Sequence, residues 1–396
     1  MTASAKAKAI RWPGRSAERA TRPGGVGSWP VVGGLIAIAI VFGSLNEQFL
    51  SAENLTNLAL QLAATGTISL GIIMVLLLGE IDLSAGSVSG LCAAVLAIVH
   101  VRHGQSALLA VVIALGLGAA IGLVHGLMFT QLRMPSFVVT LAGLIGWQGL
   151  LLYVLGRGGT INLPFDGAIA RLSDTWLPPW ASWLVVVLIV GVAGTSSVLN
   201  RRLRRAAGLP LAPLNRMVLR IAGLAALLCA AVLVLSADRG VPLLLIIFGS
   251  LVVALDLVLR NTVFGQWIYA IGGNAEAARR AGIPVTRLRI VAFVLASTFA
   301  AFGGLLAASR LAAVNQSSGG SDTLLMAIAA AVIGGVSLFG GRGRPYAALL
   351  GILVIQSITN GMLLLNVDSS IRFMVTAIVL AAAVAIDSLS RRGTEQ

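Results

Sequence analysis

Gly272-Gly273-Asn274-Ala275-Glu276-Ala277-Ala278-Arg279-Arg280-Ala281-Gly282 is a polar island in an otherwise oily chain. It reads as a short helix lying in the aqueous phase between two membrane spans. Asn274 suits the N-cap, because its side-chain oxygen accepts from an unpaired amide of the first turn. Glu276 then sits near the positive helix start, Arg279 and Arg280 near the negative end, and Gly282 supplies the left-handed residue that closes the helix. A helix of about two turns does not persist alone in water. The reading therefore expects another protein to hold it.

Around the island, hydrophobic residues make up 58% of 396 and charged residues only 11%. A helical span needs roughly 20 apolar residues. Twelve stretches meet or approach that length: 31–45, 56–78, 87–101, 107–130, 137–155, 181–199, 217–236, 242–259, 290–309, 324–339, 346–365 and 372–389. The third and tenth are short, which predicts tilted, broken or re-entrant segments. Helices satisfy their own backbone, and long Gly-rich apolar runs do not read as barrel strands. The expected fold is all-α and polytopic, with about 12 transmembrane helices (10–12).

Basic residues set the orientation. With both termini cytosolic, only Arg102, Arg157, Arg171, Arg239, Arg310 and Arg372 face outward, and the other 22 of the 28 Lys and Arg stay inside. The same asymmetry accounts for the net charge of +14 without nucleic acid. Residues 1–28, with Lys6, Lys8, Arg11, Arg15, Arg19 and Arg22, read as a disordered basic cytosolic arm. Residues 29–390 form one transmembrane domain with a cytosolic loop at 260–289, and 391–396 a cytosolic tail. The first apolar stretch lacks a small-residue cleavage site and reads as a retained span.

Chemistry-bearing residues are sparse. Cys92 and Cys229 fall in spans and read as small apolar packing groups. His100 and His103 flank an outer loop. His125, in the fourth span, is either a proton relay or a packed polar residue, the latter preferred. Asp256 and Arg260 share a helix face and read as a structural pair, with a transport carboxylate as the alternative. No lysine follows Lys8, so no phosphate-binding loop with its lysine exists beyond the basic arm. The chain is not an enzyme by itself and binds no cofactor or metal by this reading.

Among the loops, 156–180 is the long outer one. Loop 200–216 is cationic, with Arg201, Arg202, Arg204, Arg205 and Arg216, and reads as a lipid-headgroup anchor. Two polar interruptions lie at or near membrane depth. Gly79-Glu80-Ile81-Asp82-Leu83-Ser84-Ala85-Gly86-Ser87 joins spans two and three, with Asp82 or Ser84 able to cap the third. Ile333-Gly334-Gly335-Val336-Ser337-Leu338-Phe339-Gly340-Gly341-Arg342-Gly343-Arg344-Pro345 reads as broken helix with close backbone packing.

Several segments in this order resemble one family. They are Gly79-Glu80-Ile81-Asp82-Leu83-Ser84, Met134-Pro135-Ser136-Phe137-Val138-Val139-Thr140-Leu141-Ala142-Gly143, Tyr269 through Arg279, Ala327-Ile328-Ala329-Ala330, Gly334-Gly335 and Asn360-Gly361-Met362. They resemble the permease subunits of bacterial sugar ABC importers of the ribose, xylose and galactoside type. The longer middle, with Arg239-Gly240-Val241-Pro242, is most similar to xylose permeases. The resemblance implies a homodimer in the bacterial inner membrane, two ATPase subunits that carry ATP and Mg, a periplasmic sugar-binding protein and a sugar substrate. It also makes Asn274, Ala275, Glu276, Ala277, Ala278, Arg279, Arg280 and Gly282 a coupling helix seated on the ATPase. A helix resting on the lipid surface is the alternative, disfavoured because the segment lacks a substantial apolar face.

The chain departs from the family pattern at Leu324-Leu325-Met326, at Gln148 and at Arg342 and Arg344, which leaves pentose, hexose or another polyol open. Thr65, Thr67, Ser69, Thr140, Gln148, Ser357, Thr359 and Asn360 are uncharged hydrogen-bonding residues within spans. They read as pathway residues or, equally, as interhelical hydrogen bonds. The rival function is an ion-coupled secondary transporter of the major facilitator class. That class needs an embedded carboxylate, for which Asp256 is the candidate.

Overall fold

A computed structural model describes residues 29–211 and 213–392. The basic arm at 1–28 and the tail residues 393–396 lie outside the described residues. Fifteen α-helices occur among the described residues: α1 Trp29–Leu45, α2 Ala52–Leu77, α3 Ala85–Ala97, α4 Ala107–Thr130, α5 Ser136–Leu155, α6 Ala168–Arg171, α7 Pro179–Ala206, α8 Leu214–Ser236, α9 Leu243–Asn261, α10 Val263–Gly273, α11 Ala275–Arg280, α12 Val285–Leu311, α13 Ser321–Ile333, α14 Tyr346–Leu364 and α15 Ser369–Arg392. A π-helical turn, Ile98–Arg102, extends α3.

Nine of these helical stretches are long and apolar enough to cross a membrane. The twelve apolar stretches each coincide with one helix, three of them in shorter apolar runs within α1, α13 and α15. The chain is a polytopic all-α membrane protein. The tenth stretch needs correction: α13 stops at Ile333, and residues 334–345 form a loop. Gly335, Gly340, Gly341 and Gly343 there all adopt positive φ, which a helix does not accommodate.

The core is built around α2, whose apolar window is 89% buried. It packs with α12, α14, α13 and α9. Gly118, Gly122 and Gly126 recur at helical spacing along α4, and a Cβ on each would fall within 3.0 Å of atoms of α12. Small residues at this spacing bring the two backbones together, a common way to join helices where lipid removes the hydrophobic drive. By contrast, α7 and α8 pair with each other at the periphery and are mostly exposed. Their apolar surfaces suit acyl chains rather than water.

Two short antiparallel pairs, unforeseen from sequence, tie loops at one end of the bundle. β1 (Thr160–Asn162) pairs with β4 (Ala313–Asn315), and β2 (Trp176–Leu177) with β3 (Val241–Pro242). Arg102 adds donations to the carbonyls of Val154 and Leu155. All of these residues lie in or beside loops that the charge count places on the same, outer side. The loops assigned to the inner side meet at the opposite end.

Candidate functional site

Four loops converge at that end: 78–84, 131–135, 274–284 and 334–345. The Gly341 amide donates to the Leu77 carbonyl at 2.9 Å. A Cβ on Gly272 would stand 1.8 Å from that same carbonyl oxygen and 2.4 Å from the Gly341 nitrogen. Only a residue without a side chain lets the end of α10 seat there. Gly334 closes α13 against Ala347, and Gly335 turns the chain at φ +98°. The two glycines thus shape the loop rather than contact α11.

The island forms α11 with the local structure its residues dictate. Asn274 Oδ1 accepts from the Ala277 amide at 2.9 Å. Glu276 lies 3.2 Å from both Arg279 and Arg280. Gly282 adopts φ +83°, and the Ile283 amide returns to the Ala278 carbonyl at 3.1 Å. Glu276, Ala277, Arg279 and Arg280 are exposed, whereas Ala278 is buried and Ala275 half-buried. The helix is held from within by its own chain, through Ala278 and Ala275 packed into the core, where the sequence expected another protein to hold it.

Next to α11, Glu80 of the 78–84 loop accepts from Ser136 Oγ at 2.7 Å and pairs with Arg289 of α12 at 3.0 Å. Burial pushes its carboxyl above the ordinary value, and the Ser136 bond and the Arg289 charge partly offset this. Arg289 also lies over the Phe129 ring at 4.8 Å. Nothing in the spacing of Glu80 and Arg289 forecast this pair, since 209 residues separate them. Phe129, Arg133, Met134, Arg279, Thr286 and Arg289 help line a cleft of about 670 Å³ beside α11. Three guanidiniums in one cleft suit an acidic group.

Asp82 and Ser84 do not cap α3 as expected. Instead Asp82 Oδ1 accepts from the Ser84 amide at 2.8 Å and from Ser84 Oγ at 2.6 Å, an Asx turn that rigidifies the loop. Ser84 Oγ lies 3.5 Å from His125 Nδ1, and Trp147 Nε1 donates to His125 Nε2 at 3.0 Å. With Nε2 accepting, a neutral His125 carries its proton on Nδ1. The packed reading of His125 describes this arrangement.

The expected pathway residues are scattered. Thr140 Oγ1 donates within its own helix to the Ser136 carbonyl, at 3.0 Å. Asn360 exchanges bonds with Asn54 at 2.8 and 2.9 Å, and Gln356 bonds Gln61, so two amide pairs join α14 to α2. Thr359 donates to the Ile355 carbonyl and Ser357 is buried. Two of the five reach loops: Thr140 Oγ1 also lies 3.3 Å from the Ile81 carbonyl, and Gln148 donates to the Gln316 carbonyl at 3.0 Å. Asp256 pairs with Arg260 at 2.9 Å. Among the described residues no group of His, Cys, Asp and Glu is placed to hold a metal.

Residues 54–384 match the family described as branched-chain amino acid transport system / permease component. The chain is 34% identical over 368 residues to the xylose transport system permease protein of Escherichia coli (strain K12), covering 91% of this chain and 92% of that one. It is 33% identical to the namesake of Haemophilus influenzae, covering 90% and 96%. It is 31% identical to the ribose import permease protein of Escherichia coli (strain K12), covering 89% and 91%. No solved structure matches.

Proposed function

Because this chain belongs to the family of permease components of the branched-chain amino acid transport system type, we propose that it is the membrane-spanning subunit of an ATP-driven importer for a neutral, pentose-like sugar. Relatives named as xylose and ribose permeases, matched over about nine-tenths of their length, support the substrate class. In this reading the chain lies in a bacterial inner membrane, pairs with a second copy, receives sugar from a periplasmic binding protein and is driven by two ATPase subunits.

The observation that carries the reading is α11. It is a capped polar helix, anchored from within by Ala278, that turns Glu276, Arg279 and Arg280 outward beside a cleft holding Arg133 and Arg289. A rigid, charged projection clamped to the ends of α2, α10 and α12 transmits a push as rigid-body motion of the bundle. ATP and Mg reside on the partner. Ion-coupled transport has no support, because the family match points elsewhere and Asp256 is engaged by Arg260.

Co-purification from native membranes tests the reading. The chain should bring down an ATPase and a binding protein, and the latter should bind a pentose in a sugar panel. Recovery of the chain without an ATPase, from membranes that contain both, overturns it.

A further inference from the structure

The connection between α12 and α13 enters the bundle. Ser318 and Gly319 press on the first turns of α3: a Cβ on Gly90 would stand 2.1 Å from the Ser318 carbonyl oxygen, and one on Gly86 2.7 Å from that of Gly319. Gln148, which donates to the Gln316 carbonyl, lies 12 residues after the start of α5 and 7 before its end. At 1.5 Å per residue that is about 18 and 10 Å from the two ends. Where α5 crosses a hydrocarbon core about 30 Å thick, the Gln148 contact lies about a third of the way in from the outer end, so the loop dips to membrane depth.

This loop is polar and irregular. Asn315 Oδ1 accepts from the Ser317 amide at 3.0 Å, from Ser317 Oγ at 2.8 Å and from Ser318 Oγ at 3.3 Å. The β1–β4 register sets Thr160 opposite Asn315 and turns Thr160 and Asn162 to the open side, with Ile161 and Val314 buried behind. Gln316, Ser317, Thr160 and Asn162 are exposed. Non-helical backbone and exposed amides at this depth do not face acyl chains, and they persist only against protein or water.

We propose that Asn315, Gln316 and Ser317, with Gln148, Thr160 and Asn162, wall a water-filled passage that takes an uncharged, hydroxyl-rich solute. Every group is an amide or hydroxyl that both donates and accepts, as a sugar hydroxyl does. Exposed Asp322, in the next helical turn, disfavours an anion. The solute class rests on the importer reading, whereas the water-filled wall does not.

The test labels single cysteines in a Cys92→Ala, Cys229→Ala chain with a membrane-impermeant charged maleimide, in right-side-out and inverted vesicles. Ser317→Cys should react within about threefold of Phe165→Cys, in the exposed outer loop, and at least tenfold faster than Leu227→Cys, on the peripheral helix α8. Reaction as slow as Leu227→Cys from both sides overturns the passage. In the complex reconstituted with its ATPase and binding protein, Gln316→Ala and Gln148→Ala should cut sugar uptake about tenfold while ATP hydrolysis persists. Unchanged uptake overturns the solute contact. If the wild-type complex carries no sugar, the importer reading fails, and the labelling result alone decides the passage.

Discussion

Arg289 Nη2 lies 3.0 Å from Glu80 Oε1, joining the base of α12 to the loop between α2 and α3. The pair is mostly shielded from water, with side-chain exposures of 23% and 15%. Replacing Arg289 by Met leaves a shielded carboxylate without its cation. A loss of about 2 kcal/mol is expected, below the figure for full burial because water still reaches both groups. Thermal unfolding in detergent measures it, and an unchanged midpoint contradicts the assignment.

Glu80 also gives the protein a pH dependence. Its folded-state carboxyl is raised above the ordinary 4.5, chiefly by burial. Between 4.5 and the raised value the folded chain keeps a proton that the unfolded chain releases. Stability from this group is therefore greatest below that window, falls as pH rises through it and is flat above. The difference in melting temperature between wild type and Glu80→Gln should fall across the window, and a difference independent of pH contradicts the shift.

Gly272→Ala forces a methyl into the Leu77 carbonyl, 1.8 Å from its built position. Backbone must move, detaching α10 and α11 from the α2 end. The variant should insert normally yet lose ATP-driven uptake at least tenfold, as expected when a hinge or anchor is displaced. Full uptake contradicts the proposed rigid seat.

Asn274→Ala removes the Oδ1 acceptor of the Ala277 amide. A lost cap costs about 1 kcal/mol, or about fivefold faster hydrogen exchange at that amide. Exchange unchanged at Ala277 would mean that the cap does not hold the helix.

Asp256→Asn leaves Arg260 without its carboxylate partner but removes no energy source under the ATP-driven reading. Uptake should stay within about threefold of wild type, provided the chain folds, because carboxylate loss is decisive only where an ion couples transport. Abolished uptake in folded protein would restore the ion-coupled rival.

Much of this fold was legible because lipid imposes one rule: a span must be apolar and helical. The twelve apolar runs therefore marked twelve helices. The caps of α11 were equally legible, since Asn274 and Gly282 act on neighbours within three or four residues. What escaped was non-local or too short to carry a pattern. Glu80 and Arg289 meet across 209 residues, and β1 with β4 involves three residues on each side. The stretch 324–339 read as a span because its composition is apolar, but backbone at Gly335 ended the helix. Thr140, Thr359 and Asn360 looked available for solute from their side-chain chemistry alone. Their hydrogen bonds lie within the chain.

The most direct test places the purified chain in liposomes, alone and with its ATPase and binding protein, and follows accumulation of labelled pentose. Accumulation should require the ATPase and ATP, and should vanish when Glu276→Arg and Arg279→Glu are combined, which exchanges the signs of the 276–279 pair and replaces the Glu276–Arg280 pair by like charges. Accumulation by the chain alone on a proton or sodium gradient would contradict the account.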